Sequence, residues 1–432
     1  MMTSSPFARR QFLVGSLATV IGTVMRAEVP PNRLETLTQW LAASLEPRTR
    51  ALQPCLDRIR ALEDSIHAWV EVAPQPSTDR GTLAGIPYGV KDIIETRGLA
   101  TEYGSPIYKG RVGTADAAII REMRQRGAIL IGKTQTTAFA YRTPGPTRNP
   151  RDLAYTPGGS SSGSAAAVAA GMVPVAIGEQ TQGSVLRPAS FCGVTGFKPS
   201  YGLLSMEGVL PLAKSLDTLG FFTHTANDMV ALWTAFGHSV DRSETLVLGA
   251  PEPIPPVDAP MAKTFQETLS HLRKAGVRIQ SVDIAALLAG LAEAATTVMF
   301  YEGARFHEQR YREYGDRLDD LAILVRAGQQ ITDERYQTTV RYIDSCKARF
   351  TELFEITPVI LSPAAVGPAP LGLAFTGDTR MNSPWTALGT PAISIPMPIS
   401  SGLPLGLQLT AAPGQDARLL GTAASVEQYL LS

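Results

Sequence analysis

The chain has 432 residues, enough to bury a large core as one big α/β unit or as two domains. Lys plus Arg equals Asp plus Glu at 39 each, with no long run of one sign, so composition gives no electrostatic reason to expect nucleic acid as a ligand. Apolar residues make up 44%, a globular composition, and the three cysteines (Cys55, Cys192, Cys346) are too few and too dispersed for a disulfide framework or a zinc site.

At the N-terminus, Ala8-Arg9-Arg10-Gln11-Phe12-Leu13-Val14 precedes a modestly apolar run, Gly15 to Met25, that ends at Arg26-Ala27-Glu28. A basic start, a short apolar stretch and a small residue at its end are the parts of a signal peptide. The paired arginines followed by Gln-Phe-Leu resemble the bacterial twin-arginine export signal. The expectation is a signal over 1–27, cut near Ala27, and a protein delivered to the periplasm or secreted. The run is shorter than the roughly 20 residues a settled membrane helix needs, and no other segment is apolar enough, so stable membrane insertion is not expected.

Pro30-Pro31 then opens the main body, 28–432. Residues 32–68 carry helical spacing (Leu34, Leu37, Trp40, Leu41, then Leu56, Ile59, Leu62, Ile66), broken near Glu46-Pro47. From Ala68 onward the pattern shifts to strands and turns. Residues 116–127 read as an amphipathic helix with Ile119, Ile120 and Met123 on one face, feeding a buried strand at 128–132, an order that favours a parallel or mixed sheet. Residues 162–170 look helical with a serine available as N-cap, and 172–177 reads as another buried strand. A Pro-rich seam, Gly249 to Pro256, separates this half from a more variable one. There, 260–275 is a helix with Pro260 in its first turn and Gly276 as its stop, 277–279 starts a strand, and 285–314 and 333–353 are long helices. Residues 386–409 alternate apolar strands with turns, and 416–431 closes as a helix.

Three segments carry chemistry. Gly85-Ile86-Pro87-Tyr88-Gly89-Val90-Lys91-Asp92 is the first, Gly158 to Ala167 with Ser160 the second, and Gly178-Glu179-Gln180-Thr181-Gln182-Gly183-Ser184-Val185-Leu186-Arg187-Pro188 the third. The small, uncharged, hydroxyl-rich character of 157–171 lets backbone approach a ligand closely and leaves N–H groups free for an anion. Each piece alone has a plainer reading: a flexible Gly/Ser loop, a surface lysine, a structural arginine.

Serine-based acyl transfer needs a nucleophile, a base and donors for the oxyanion. Ser184 is the nucleophile expected here. Gly183 before it allows a tight turn in which the N–H groups of Thr181, Gln182, Gly183 and Ser184 converge as an oxyanion hole. The five histidines (His67, His224, His238, His271, His307) stand in no catalytic motif. The alternative base is Lys91, which works only when neutral and so must be buried, with Asp92 turned to the other side of its strand. Cys192, beside the nucleophile segment, reads as a buried apolar residue.

Together these segments resemble the amidase signature family, serine hydrolases that use a Ser–cis-Ser–Lys triad. The likeness continues through Phe191-Cys192-Gly193-Val194-Thr195-Gly196-Phe197-Lys198-Pro199 and Ser215 to Gly220, and resumes at Asn382 to Thr386 and Gly389 to Ala392. It touches most of 33–428 and is densest over 84–220, with 250–380 shaping the substrate pocket. The resemblance implies a single large α/β domain with a central mixed β-sheet flanked by helices on both faces. It also assigns Ser160 to pass the proton between Ser184 and Lys91, behind a cis bond that Gly159 makes less crowded. Gly159, Ser161 and Arg187 support the site.

Two positions depart from the family pattern. Gln182 stands where Gly or Ala is usual, so its side chain enters or props the acyl pocket. Glu179 replaces a small residue or threonine, adding a carboxylate near the oxyanion segment. The expected activity is hydrolysis of a linear carboxamide through a Ser184 acyl-enzyme, with no metal or other cofactor and a small-molecule amide as substrate, by a monomer or homodimer. The alternatives are an allophanate-type amidase, a glutamine-amidotransferase-like subunit, and an inactive binding homologue.

Overall fold

A computed structural model describes residues 34–242 and 246–432. The expected signal segment, 1–27, lies outside the described residues. Eleven strands form one mixed sheet: β1 (Trp69–Val72), β2 (Pro87–Lys91), β3 (Ile129–Thr134), β4 (Val175–Gln180), β5 (Thr195–Lys198), β6 (Thr218–Thr223), β7 (Val247–Pro251), β8 (Arg278–Val282), β9 (Val359–Pro363), β10 (Ala392–Pro396) and β11 (Gly406–Ala411). Their spatial order is β1-β3-β2-β4-β6-β5-β10-β11-β9-β7-β8. β2 runs parallel to both β3 and β4, β7 is parallel to β8 and β9, and the pairs between are antiparallel. The Pro-rich seam is therefore no break between sheets: Gly249 to Pro251 belong to β7.

The middle strands are buried on both faces, and polar side chains within them find partners there: Lys198 donates to the Thr390 carbonyl and Gln408 to Ser362 Oγ. Side chains alternate across the sheet, so neighbours in β6 serve opposite sides. Phe221 joins the larger core with Phe197 and Trp233, whose rings meet edge-on at 5.2 Å, whereas Phe222 joins the smaller core with Ala165, Val168 and Val185. Helices 226–235 and 416–431 cover the first face. Helices Ser162–Ala169 and Leu186–Cys192 cover the second.

The helix 162–169 shows why a Gly/Ser/Ala stretch here is no linker. A Cβ on Gly163 would sit 2.2 Å from the Ala68 carbonyl oxygen and 2.4 Å from the Gln135 nitrogen. Only a chain of small residues lies this close to the sheet. Its N-cap is Ser161, but the Ser161 hydroxyl caps nothing; it donates instead to the Glu179 carbonyl at 3.2 Å.

Most predicted elements stand within two or three residues of their expected bounds, and 285–314 is a helix over its whole length. Two boundaries differ for a physical reason. Pro47 lies in the first turn of helix Leu45–Ile66, where a missing N–H costs nothing, so the break falls at Ala43-Ser44. The strand expected at 172–177 begins only at Val175, immediately after Pro174, which has no N–H for the ladder.

Candidate active site

Lys91 ends β2, and Glu179 stands near the end of the parallel neighbour β4, so both sit at the carboxyl edge of that part of the sheet, where α/β folds bind ligands. Lys91 is fully buried. Its Nζ lies 2.7 Å from Ser160 Oγ, 3.0 Å from Glu179 Oε2 and 3.2 Å from the Glu179 carbonyl oxygen. Burial lowers the Lys91 pKa; Glu179, through its charge and its hydrogen bond, opposes that shift without cancelling it. Asp92 faces the other way, as expected. Its carboxylate accepts the N–H groups of Glu102 and Gly104, and burial raises its pKa to about 6 against the pull of Lys133.

The Gly159–Ser160 peptide is cis. Ser184 follows in the turn between β4 and helix 186–192 and opens into a cavity of about 490 Å³ lined by Tyr141, Gln182, Arg187, Met299, Asp320 and Phe375 among others. The Ser161 N–H donates to the Ser184 carbonyl at 3.3 Å, tying the two serine segments together. No side-chain hydrogen bond joins Ser160 to Ser184 among the described residues. The turn itself is held by Gln180, whose Oε1 accepts the N–H groups of Val185 and Leu186 at 2.9 and 3.1 Å. Gly183 is required by a close approach, since a Cβ there would lie 2.6 Å from Asn382 Oδ1. The N–H groups of Gln182, Gly183 and Ser184 meet no acceptor among the described residues, the condition for an oxyanion hole.

Gln182 props the pocket wall. Its Nε2 donates to Thr296 Oγ1 at 3.2 Å and its Oε1 accepts from Thr379 Oγ1 at 3.1 Å. Arg187 is buried beneath the same cavity, with Nη2 donating to the Gly159 carbonyl at 2.6 Å, while Nε and Nη1 have no partner among the described residues. Burial lowers the Arg187 pKa to about 10, partly offset by Asp378. Cys192 is buried against the Pro157 carbonyl, and burial pushes its thiol up to about 12. None of the five histidines lines the cavity: His238 stacks on Trp233, and His271 bonds the Tyr429 carbonyl.

Asp217 is the site residue that sequence reasoning left without a role. It reaches Thr181 Oγ1 at 2.7 Å, although nothing local marks it. Period-two spacing could have placed Glu179, near the end of β4, and Thr181, just past that end, on one side, but not Asp217, 36 residues on.

Residues 50–420 match the family described as Amidase. The chain belongs to the amidase family. It is 31% identical to a Glutamyl-tRNA(Gln) amidotransferase subunit of Chromohalobacter salexigens, over 91% of this chain and 96% of that one. A crystal structure of an amidase superposes with a TM-score of 0.80 at 28% identity, covering 90% of this chain and all of that one. The corresponding Glutamyl-tRNA(Gln) amidotransferase subunit of Thermotoga maritima gives 0.80 at 28% identity, covering 92% and 95%. This amidase is an α/β enzyme acting on carbon–nitrogen bonds, on one large mixed sheet flanked by helices.

The same relatives correct the expectation of export. They are named for acting on an aminoacyl-tRNA, which is made and used inside the cell, and they match nearly the whole chain. Delivery to the periplasm or outside by the twin-arginine route is contradicted by these relatives. A pair of arginines before eleven weakly apolar residues is a pattern short enough to arise without export.

Proposed function

We propose that this amidase cleaves a carboxamide through an acyl-enzyme on Ser184, with Ser160 relaying the proton to Lys91. The observation that carries the reading is the contact of 2.7 Å between the buried Lys91 Nζ and Ser160 Oγ, next to Ser161, whose N–H ties this segment to the carbonyl of the cavity-lining Ser184. Ser184 Oγ attacks the carbonyl carbon and its proton passes to Ser160, whose own proton moves to Lys91. The oxyanion is met by N–H groups from the segment Thr181 to Ser184. The tetrahedral intermediate collapses with Lys91 returning the proton to the leaving nitrogen, and water then releases the acid by the reverse path. A serine-reactive fluorophosphonate is expected to label Ser184, read by peptide mass spectrometry, in step with loss of ammonia release. Labelling at another residue, or none, would overturn the reading.

The cavity favours an amide that also carries an anionic group. Arg187 lines it, and two of its guanidinium nitrogens, Nε and Nη1, have no partner among the described residues, whereas a hydrogen bond to a charged group is worth about 1.5–3 kcal/mol. Arg187→Met is therefore expected to raise KM for a carboxylate-bearing amide by about 10- to 150-fold, with a much smaller change for a neutral amide. Equal losses on both would show that Arg187 only supports the Gly159 carbonyl.

A second reading is favoured by the relatives. In an amidotransferase complex the same site would release ammonia from glutamine, itself a carboxylate-bearing carboxamide, and hand it to glutamyl-tRNA(Gln) held with a partner. Ammonia release from glutamine that rises on adding a partner protein would select it; hydrolysis of other carboxamides by the chain alone would select the first.

A further inference from the structure

Beneath the serines lies a chain of four buried groups: Lys91, Glu179, Thr181 and Asp217. Thr181 Oγ1 stands 3.0 Å from Glu179 Oε1 and 2.7 Å from Asp217 Oδ1. One hydroxyl carries one proton. It can donate to one carboxyl only, and the second contact is a hydrogen bond only if that carboxyl brings a proton of its own.

The surroundings decide which carboxyl that is. Glu179 Oε2 lies 3.0 Å from Lys91 Nζ, a nitrogen that donates to it whether or not the lysine is charged, so Glu179 already has its acceptor role filled on that side. Asp217 is in no ion pair among the described residues. Its Oδ2 accepts the N–H groups of Leu212 and Ala213 at 2.8 and 3.0 Å, and Oδ1, which shares the Ala213 N–H at 3.1 Å, faces Thr181. Burial, and after it the charge of Glu179, raises the Asp217 pKa well above the carboxylate range. The direction of the chain follows: Asp217 O–H donates to Thr181, Thr181 O–H donates to Glu179, and Glu179 accepts from Lys91. With Lys91 protonated the cluster is neutral, the arrangement a dry site tolerates.

We propose that Glu179, aligned by Thr181 and a neutral Asp217, is a positioning residue for Lys91, so that the base of this amidase is a lysine–glutamate pair. The proposal rests on the Ser184–Ser160–Lys91 reading above. Acylation transfers one proton to Lys91 as the bond from Ser184 Oγ to carbon forms. With Glu179 ionised beside it, the new ammonium forms against a fixed counter-charge. The same charge holds Lys91 protonated to higher pH, so the base becomes available later in a titration. Two acidic groups bear on Lys91, Glu179 and Asp217, while Asp92 is turned away toward Lys133; the remaining neighbours are the Ser160 hydroxyl and the Glu179 carbonyl.

The test is the pH dependence of kcat/KM for ammonia release in wild type, Glu179→Gln and Asp217→Asn. Removing the Glu179 charge lowers the Lys91 pKa, so the acidic limb of Glu179→Gln is expected to move to lower pH by about one unit or more, a tenfold change in the protonation equilibrium per unit, with a reduced plateau. An asparagine side chain reproduces the donor and acceptor of a neutral carboxylic acid, so Asp217→Asn is expected to leave the limb in place. An unmoved or raised limb in Glu179→Gln, or a lowered one in Asp217→Asn, overturns the proposal; a purely structural role would lower the rate without moving the limb. If Glu179→Gln does not melt cooperatively, Glu179→Thr carries the same measurement. Lys91→Ala run in parallel separates the two levels. Activity retained there sinks the triad reading itself, whereas an inactive Lys91→Ala with an unmoved limb in Glu179→Gln sinks this inference alone.

Discussion

Lys91→Ala is expected to lower kcat/KM by about 10²- to 10⁴-fold, the range a positioned proton acceptor contributes. Single replacement of each histidine is expected to leave most of the activity, because none of them lines the cavity. The lysine variant has a second, separable consequence. It leaves Glu179 buried and without its cation, and breaking a buried ion pair by removing one partner costs about 3–5 kcal/mol. A fall in activity alone therefore would not distinguish lost chemistry from a weakened fold. The double variant Lys91→Met with Glu179→Gln does. It removes both charges, so its melting temperature is expected to return toward that of wild type while its activity stays at the Lys91→Ala level. Recovery of activity in the double variant, or a histidine variant as inactive as Lys91→Ala, would reject Lys91 as the base.

The parts of this enzyme that were legible in the sequence are those whose signal is local. Apolar periodicity fixed the helix at 118–125 through Ile119, Ile120 and Met123, and the apolar run after it gave β3. The small residues of the two serine segments were readable as a need for close backbone approach, and Gly163 and Gly183 each meet a neighbour that excludes a side chain; the roles given to Ser160 and Ser184 came with the family resemblance. What stayed hidden depends on partners far along the chain. Gln182 was visible as a departure, but its two holding threonines lie 114 and 197 residues away. Asp217 sits in a segment that resembled the family without any local hint that its carboxyl closes a hydrogen-bond chain under Lys91. Glu179 was readable as an extra carboxylate, yet its sense depends on Lys91, 88 residues earlier and on the neighbouring strand. Periodicity reports which face a residue occupies; it does not report what waits on the other side of that face.

Ser184→Ala is expected to cost the most of any single change, on the order of 10⁴- to 10⁶-fold in kcat, as removal of an acyl-enzyme nucleophile does in other serine hydrolases. Its fold should survive. Ser184 Oγ makes no hydrogen bond to the chain among the described residues and opens into the cavity, so losing it creates no unpaired buried partner and little void. The cavity wall is likewise untouched, since Gln182 is held by Thr296 and Thr379, and Arg187 by Gly159. Ser184→Ala is therefore expected to lose fluorophosphonate labelling completely, to melt within a few degrees of wild type, and still to bind a carboxylate-bearing amide in a calorimetric titration. Ser160→Ala differs in kind. It removes the relay but leaves the nucleophile, so labelling is expected to slow without disappearing. The two variants together discriminate the roles. Persistent labelling of Ser184→Ala would place the nucleophile elsewhere, and a wild type that binds amides without being labelled would mark the chain as a binding protein on an amidase fold.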